Sequence, residues 1–250
     1  MSAERFVLAF DTATAPGGVA IGRGTDVLVE VTLGIAERHS ELLLPAIDFA
    51  LNAAHVSMDE VDAIVCGCGP GSFTGVRIAA ATAKGLVHAR GIPLYAYSSL
   101  LATARAAATA DGTVCALFDA RRGEAFGGCW RFEGGASETL LPPMADDVVS
   151  IVERLRAHDP LFVGNGAERN RARIEELGGR VAHDAVGGCA GALVRIHALN
   201  EDATPVDAAH WQPDYVRAPH VTVPRDMRGG GRPGAAHAAS PSADARGGPQ

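Results

Sequence analysis

The chain has 250 residues, of which 47% are hydrophobic, and a formal net charge of −7. It is long enough for one large domain or two lobes, and its negative charge argues against a nucleic-acid-binding surface over the whole protein. The five cysteines include no CxxC pair and no Cys/His spacing typical of a zinc site. No apolar run is long enough to span a membrane, and the first residues contain no signal-peptide core. We therefore expect a cytoplasmic protein with reduced cysteines.

The first residues predict a strand followed by a turn. Residues 6–10 are apolar, Asp11 and Thr12 follow, and a Pro16-Gly17-Gly18 turn leads to strands over residues 19–21 and 27–33. A strand that ends in Asp-x-Thr resembles the first phosphate loop of the actin, sugar-kinase and Hsp70 superfamily. The alternative is that Asp11 and Thr12 only satisfy backbone groups of a hairpin.

Residues 39–55 predict a helix that is apolar on more than one side. Ser40 is a candidate N-cap, and Pro45 predicts a kink or a restart because proline removes an N–H. The main apolar stripe consists of Leu43, Ile47, Ala50 and Leu51, and it is widened by Leu42, Leu44, Ala46 and Phe49. Such a helix needs burial on several sides, either in its own domain or against a partner.

Residues 61–90 predict a strand, a glycine turn and a second helix. The strand covers residues 61–68, Gly69-Pro70-Gly71 ends it, and Ser72 or Thr74 can cap a helix over residues 76–88. One face of this helix carries the small or apolar side chains of Val76, Ala80, Ala83 and Val87. The unit is either one crossover of an α/β sheet or an anion or partner site at a helix N-terminus.

The string GPGSFTGVR followed by ATAKGL resembles the signature of the TsaB (YeaZ) family. The family acts in bacterial synthesis of the threonylcarbamoyl modification of tRNA adenosine. DARRGE from residue 119 and PDYVR from residue 213 extend the resemblance over residues 6–217. It implies an α/β, two-lobed, actin-like/Hsp70-like (ASKHA) fold, each lobe a mixed sheet with flanking helices.

The second lobe is predicted as a weak internal repeat of the first. We place the lobes at residues 1–104 and 105–223, with the last segment of the second packing back on the first. Residues 224–250 are rich in Gly, Ala, Pro, Ser and Arg, which predicts a disordered tail. Second-lobe strands are predicted from residue 113 and over 161–163, and helices over 146–158, 169–177 and 191–200. Asp119 takes the place that Asp11 holds in the first lobe.

A nucleotide or phosphate site is the less favoured functional prediction. Two arginines beside carboxylates can bind phosphate, although they can equally form ion pairs. A glycine turn such as Gly164-Asn165-Gly166 resembles the loop that meets adenosine in ATPases of the superfamily. The candidate residues for this site are Asp11, Thr12, Arg121, Arg122, Gly164 and Gly166.

The resemblance implies a non-catalytic scaffold that dimerises with the paralogue TsaD and activates threonylcarbamoyl transfer to tRNA. TsaD has metal-binding histidines where this chain has Ser98 and Ser99, so we expect no catalytic residue, metal or cofactor of its own. ATP or ADP would bind at the interface of the complex, the ATPase TsaE would bind nearby, and tRNA would be bound only indirectly. The sequence leaves open whether the isolated chain is a monomer or, with its partner missing, a homodimer. The predicted partner interface comprises Leu43, Ile47, Ala50, Leu51, Ser72, Phe73, Val76, Ala80, Ala83 and Val87.

Three other functions remain as alternatives. A free-standing ATPase or kinase of the actin-like superfamily is suggested by Asp11 and Thr12. A metalloprotease lacks any supporting ligand spacing. A nucleophilic hydrolase would use Ser72, but G-S-F-T-G does not have the G-x-S-x-G spacing, and no acid–base partner can be assigned.

Overall fold

Two five-stranded β-sheets form the framework of the chain. The structure is a computed structural model that describes residues 5–34, 38–121, 123–183 and 189–216. The first sheet contains β1 Phe6–Asp11, β2 Gly17–Arg23, β3 Asp26–Leu33, β4 Val61–Gly67 and β5 Leu94–Tyr97. The second contains β6 Gly112–Arg121, β7 Glu124–Glu133, β8 Ala136–Asp147, β9 Leu161–Val163 and β10 Arg180–Val181.

The two sheets have the same topology. Their strand orders are β3-β2-β1-β4-β5 and β8-β7-β6-β9-β10. In each sheet the first three strands form an antiparallel meander, whereas the last two run parallel to the first. Asp11 ends β1, and Asp119 lies near the end of the equivalent strand β6. This arrangement confirms the predicted two-lobed, actin-like/Hsp70-like fold with a mixed sheet in each lobe.

Seven α-helices are assigned within the described residues: α1 His39–Ala54, α2 Phe73–Arg90, α3 Ser99–Ala107, α4 Val148–Leu155, α5 Asn165–Arg169, α6 Arg171–Glu176 and α7 Ala190–Leu199. The first two helices cover one face of the first sheet, and α7 covers the other. Helices α4 and α6 cover one face of the second sheet. Helix α3 lies between the sheets, since Ala102 packs with the first and Leu100 with the second.

Strand β1 is buried on both faces, which explains its continuous apolar sequence. Leu8 and Phe10 pack with α1 and α2, whereas Val7 and Ala9 pack with α7 on the opposite face. Helix α7 follows the second lobe in sequence but packs on the first sheet. Residues 104 and 105, the predicted lobe boundary, lie within α3, and the division itself stays a prediction. Residues 224–250, the predicted disordered tail, lie outside the described residues.

Three predicted elements differ from the structure. Helix α1 continues through Pro45 without a restart, because Pro45 is exposed and water can hydrate the carbonyl that it leaves unpaired. The helix predicted over residues 169–177 is the shorter α6, and the predicted glycine turn before it opens a separate helix, α5. The two helices are separated at Asn170, whose side chain donates to the Gly166 carbonyl at 2.8 Å. Strand β8 was not predicted because it contains Pro142 and Pro143, which an edge strand tolerates.

Candidate functional site

The backbone of the glycine turn before α2 lies in close contact with the backbone of the loop after β1. A Cβ atom on Gly75 would lie 1.9 Å from the Thr12 carbonyl oxygen, and one on Gly71 would lie 2.4 Å from that of Ala13. The Ser72 N–H donates to the Ala13 carbonyl at 2.7 Å, and the Thr12 hydroxyl donates to the Gly75 carbonyl at 2.7 Å. The glycines are therefore needed so that the first turn of α2 can touch this loop.

The turn also uses its own polar groups internally. The Ser72 hydroxyl caps α2 by accepting from the Gly75 N–H at 3.3 Å, as predicted for one of the two candidate caps. The Gly69 N–H donates to the Ser99 hydroxyl at 3.0 Å. These contacts, together with the Ser72–Ala13 bond, occupy three N–H groups of the turn. The geometry favours a packing role for the turn over the anion site considered from the sequence.

Asp11 and Thr12 are buried and bonded inside the first lobe. Asp11 is 6% exposed and Thr12 is fully buried. The Asp11 carboxylate accepts from the Ala13 N–H at 2.7 Å. Desolvation raises the pKa of Asp11, although hydrogen bonds from Ser99 and Ala13 partly oppose this. A Cβ atom on Gly67 would lie 2.2 Å from this carboxylate, so the Asp11 carboxylate is closely covered.

A cavity of about 410 Å³ lies where the ends of β1 and β6 approach each other. Asp119 accepts from Arg169 at 2.8 Å, and its backbone N–H donates to the Asn165 side chain at 3.1 Å. The cavity is lined by Thr14, Ala15, Pro16, Thr103, Phe118, Asp119, Gly164, Asn165, Glu168 and Arg169.

Of the predicted nucleotide-site residues that the structure describes, only Gly164 lines this cavity. Asp11, Thr12 and Gly166 are buried elsewhere, and Gly166 is closely packed against Phe118. Arg121 is exposed and does not line the cavity, and Arg122 lies outside the described residues. The structure therefore does not bring the six candidates together, because the backbone contacts after β1 cover Asp11 and Thr12.

Most of the predicted partner-interface residues lie in the chain's own core and are not at the surface of the chain on its own. Ser72 and Phe73 are exposed and Val87 is half-buried. The buried ones are Leu43, Ile47, Ala50, Leu51, Val76, Ala80 and Ala83. The alanine-rich face of α2 and the main apolar stripe of α1 turn towards the first sheet, because that packing buries their apolar area within the lobe.

The opposite sides of α1 and α2 carry exposed large apolar residues. Leu44 is 57% exposed, Phe49 is 61% exposed, and Phe73 at the start of α2 is 39% exposed. We call Leu44, Phe49 and Phe73 the outward face. Leu44 and Phe49 were noted in the sequence only as a widening of the apolar stripe, because periodicity could not tell which side of so apolar a helix faces the sheet.

Residues 206–215 run back along the first lobe and end on α2. The Val206 N–H donates to the Leu94 carbonyl at 2.8 Å, and the Asp214 N–H donates to the Cys68 carbonyl at 2.8 Å. Tyr215 then lies 5.5 Å from the Phe73 ring, centroid to centroid. Apart from the PDYVR string itself, no sequence pattern indicates this contact.

The described part of the chain has no cluster of metal ligands, and its Cys68 thiol is not activated. No group of three or more His, Cys, Asp or Glu side chains there is arranged to hold a metal ion. None of the helices in that part has the length and hydrophobicity to cross a membrane. Burial, with a smaller contribution from Asp214, raises the pKa of the Cys68 thiol to about 12. This thiol is therefore protonated and weakly nucleophilic at neutral pH.

Comparison with known proteins identifies the family. The chain is 32% identical over 173 residues to the tRNA threonylcarbamoyladenosine biosynthesis protein TsaB of Bacillus subtilis, covering 68% of this chain and 76% of that protein. The chain belongs to the TsaB (YeaZ) family. It is also 34% identical over 147 residues to Escherichia coli TsaB, covering 55% of this chain and 62% of that protein.

Structural and family-model comparisons agree with membership of the TsaB family. The crystal structure of YeaZ from Pseudomonas aeruginosa superimposes with a TM-score of 0.71 at 27% identity, covering 84% of this chain and 99% of that one. The family model of TsaD, described as tRNA N6-adenosine threonylcarbamoyltransferase, matches residues 31–168. This match fits the relationship between TsaB and its paralogue TsaD. The chain therefore has a role in the biosynthesis of threonylcarbamoyladenosine in tRNA.

Two of the three strings that carried the TsaB resemblance lie close together on the first lobe. GPGSFTGVR forms the turn and the first residues of α2, and residues 213–215 of PDYVR contact the same turn through the Asp214–Cys68 hydrogen bond and the Tyr215 ring. DARRGE, in contrast, spans the end of β6 and the turn to β7. Two TsaB strings from opposite ends of the chain thus build one surface beside the outward face.

Proposed function

We propose that this chain is a non-catalytic scaffold and activator that dimerises with TsaD through the outward face. TsaD, held in an active arrangement, transfers the threonylcarbamoyl group to the tRNA adenosine next to the anticodon. The ATPase TsaE binds near the same interface, ATP or ADP binds only within the complex, and tRNA is held by the other subunits. The proposed place of this assembly is the cytoplasm.

The exposed outward face is the observation that carries the proposal. Leu44 and Phe49 keep more than half of their surface accessible although the same helix contributes to the core of the lobe beneath them. Covering such a side chain contributes roughly 1.5–3 kcal/mol when it goes from fully exposed to fully buried. A partner that covers all three residues would therefore gain a substantial share of the energy that a specific complex needs. In the absence of TsaD, a second copy of this chain would cover the same face as a homodimer.

The experiment is co-purification with TsaD from the same organism, followed by a tRNA modification assay with and without this chain. Phe49→Asp should weaken TsaD binding at least tenfold while the chain stays folded, because Phe49 is 61% exposed. Leu199→Asp is the matched control, since Leu199 is also an exposed large apolar residue and lies at the end of α7, on the opposite face of the first sheet. Equal affinity of the two variants for TsaD would contradict the proposed interface.

A free-standing ATPase is the second candidate, and the cavity between β1 and β6 is the observation in its favour. The burial of Asp11 and Thr12 weighs against it, because neither can reach a nucleotide's metal or phosphates without opening the loop after β1. Calorimetry of the isolated chain with ATP and magnesium separates the two proposals. Sub-micromolar binding would favour the ATPase, and we expect none.

A further inference from the structure

Helix α2 is basic in a chain that is acidic overall. Its 18 residues contain Arg77, Lys84, His88 and Arg90 and no aspartate or glutamate, whereas the chain has a formal net charge of −7. Such a local excess of positive charge is unexpected for a surface that only faces water in an acidic protein. The excess of positive charge on α2 indicates a surface that takes part in recognition of a binding partner.

Three of these basic residues share one side of the helix. The spacing of Arg77, Lys84 and His88 places them on one side, next to Phe73. Arg90 is separate, because it pairs with Asp59. Within the described parts of the chain, neither Arg77 nor Lys84 forms an ion pair with a carboxylate. We call Arg77, Lys84 and His88 the basic ridge.

Aromatic side chains hold the cations of the basic ridge in place. The Arg77 guanidinium lies 3.6 Å from the centroid of the Phe73 ring, and its Nε donates to the Tyr215 hydroxyl at 3.0 Å. The Lys84 ammonium lies 5.9 Å from the Trp211 ring. Stacking and the Nε bond leave the two terminal nitrogens of Arg77 available for a bidentate contact with a carboxylate. An ordered arginine loses less conformational entropy on binding than a free one.

We infer that the basic ridge receives an acidic surface of the protein partner, whose carboxylates bind Arg77 and Lys84. This rests on the proposed function, because it describes the charge of the partner that covers the outward face. RNA phosphates would also be attracted to a basic ridge. A protein is favoured because α1 packs beside α2 and presents Leu44 and Phe49 on the same side of the sheet. A phosphate backbone does not cover apolar side chains.

Cross-linking with a carbodiimide tests the contact directly, because Lys84 is the single lysine of this chain. The reagent joins an amine to a carboxylate at contact distance. In the complex of the full chain with TsaD, we expect a cross-linked peptide that joins Lys84 to an aspartate or glutamate of TsaD. A complex whose cross-links to TsaD never involve Lys84 contradicts the inference.

Association kinetics provide the second measurement. Charge reversal at the ridge by Arg77→Glu should slow association with TsaD at least tenfold at low salt, and the wild-type rate should fall as salt rises. Arg173→Glu is the control, because Arg173 is an exposed arginine of α6 in the second lobe. Arg77→Gln, which only removes the charge, should fall between the two, and urea unfolding establishes that each variant is folded.

The outcomes separate this inference from the proposed function. If the wild-type chain does not bind TsaD at any salt concentration, the proposed function fails and the inference fails with it. If TsaD binds the wild type and Arg77→Glu at equal rates, the inference alone is overturned. If Arg77→Glu loses affinity for a tRNA anticodon arm while its association with TsaD is unchanged, the ridge binds RNA and the inference is likewise overturned.

Discussion

Replacing Gly75 by alanine should destabilise the chain strongly, because the new methyl group has no room. Its Cβ would lie 1.9 Å from the Thr12 carbonyl oxygen, whereas ordinary contacts begin at 3.4 Å. The start of α2 would therefore have to move by about 1.5 Å. That movement would weaken the Thr12–Gly75 and Ser72–Ala13 hydrogen bonds, both 2.7 Å long.

The magnitude follows from these two effects. Overpacking a tight contact costs about 1–3 kcal/mol, and each weakened hydrogen bond costs about 0.5–1.5 kcal/mol. We expect the free energy of unfolding to fall by roughly 2–6 kcal/mol, a large part of the 5–15 kcal/mol typical of a domain. Urea unfolding followed by circular dichroism measures the change.

Gly85→Ala is the matched control within the same helix. Nothing lies within 4 Å of a Cβ atom built on Gly85, and the residue is exposed. Alanine is favoured over glycine in a helix by roughly 0.5–1 kcal/mol, so this variant should be stabilised. The two substitutions also change the unfolded chain alike, so their difference reports the contact. Equal unfolding midpoints for Gly75→Ala and Gly85→Ala would refute the close-contact explanation of the glycine turn.

Three further predictions concern single side chains. Glu30→Ala should lower the free energy of unfolding by about 1 kcal/mol, because Glu30 accepts from the Gly191 N–H at 2.9 Å and α7 has no side-chain cap from its own N-cap residue. Glu30→Gln keeps an acceptor oxygen, so in urea unfolding it should retain most of the stability that Glu30→Ala loses. The pKa of Asp11 is raised in the folded state, so above pH 3.8 the native chain binds more protons at this residue than the unfolded chain does. The contribution of Asp11 to stability therefore falls as the pH rises from 3.8 to the folded-state pKa. The stability of Asp11→Asn relative to the wild type should therefore increase as pH rises above 3.8, and parallel pH profiles in urea unfolding would contradict this. Tyr215→Phe should leave the unfolding midpoint nearly unchanged but weaken TsaD binding several-fold, measured by calorimetry, because Arg77 loses the acceptor of its Nε bond.

The sequence predicted the main elements of the first lobe but not how its helices are rotated. Short β-branched runs and the glycine turn placed β1, β4 and α2 close to their observed bounds. In α1, Leu43 and Leu44 are neighbours of equal hydrophobicity, yet Leu43 is 1% exposed and Leu44 is 57% exposed. Only packing against the sheet decides between them, so the sequence could not tell which side of the helix stays exposed.

Long-range contacts account for most of what the sequence could not predict. Tyr215 and Arg77 are 138 positions apart, and no periodicity relates residues so distant. Residues 206–215 have no hydrophobic periodicity of their own. Their backbone hydrogen bonds go instead to the edge strand β5 and to the glycine turn, which lie much earlier in the sequence. The cavity between β1 and β6 likewise depends on how the two sheets approach each other. Asp11 and Thr12 could be recognised as polar residues after a strand, but not as covered by Gly67 and α2.

The position of Tyr215 has a consequence for synthesis of the protein. The ribosome synthesises α2 long before it adds Tyr215. The growing chain therefore first exposes Phe73 and Arg77 without the Tyr215 side chain that contacts both. The proposed docking surface is complete only after almost all of the described chain has been made. Premature termination before residue 206 would leave a first lobe with most of its core but an unfinished surface. Capture by TsaD would then discriminate between finished and truncated chains.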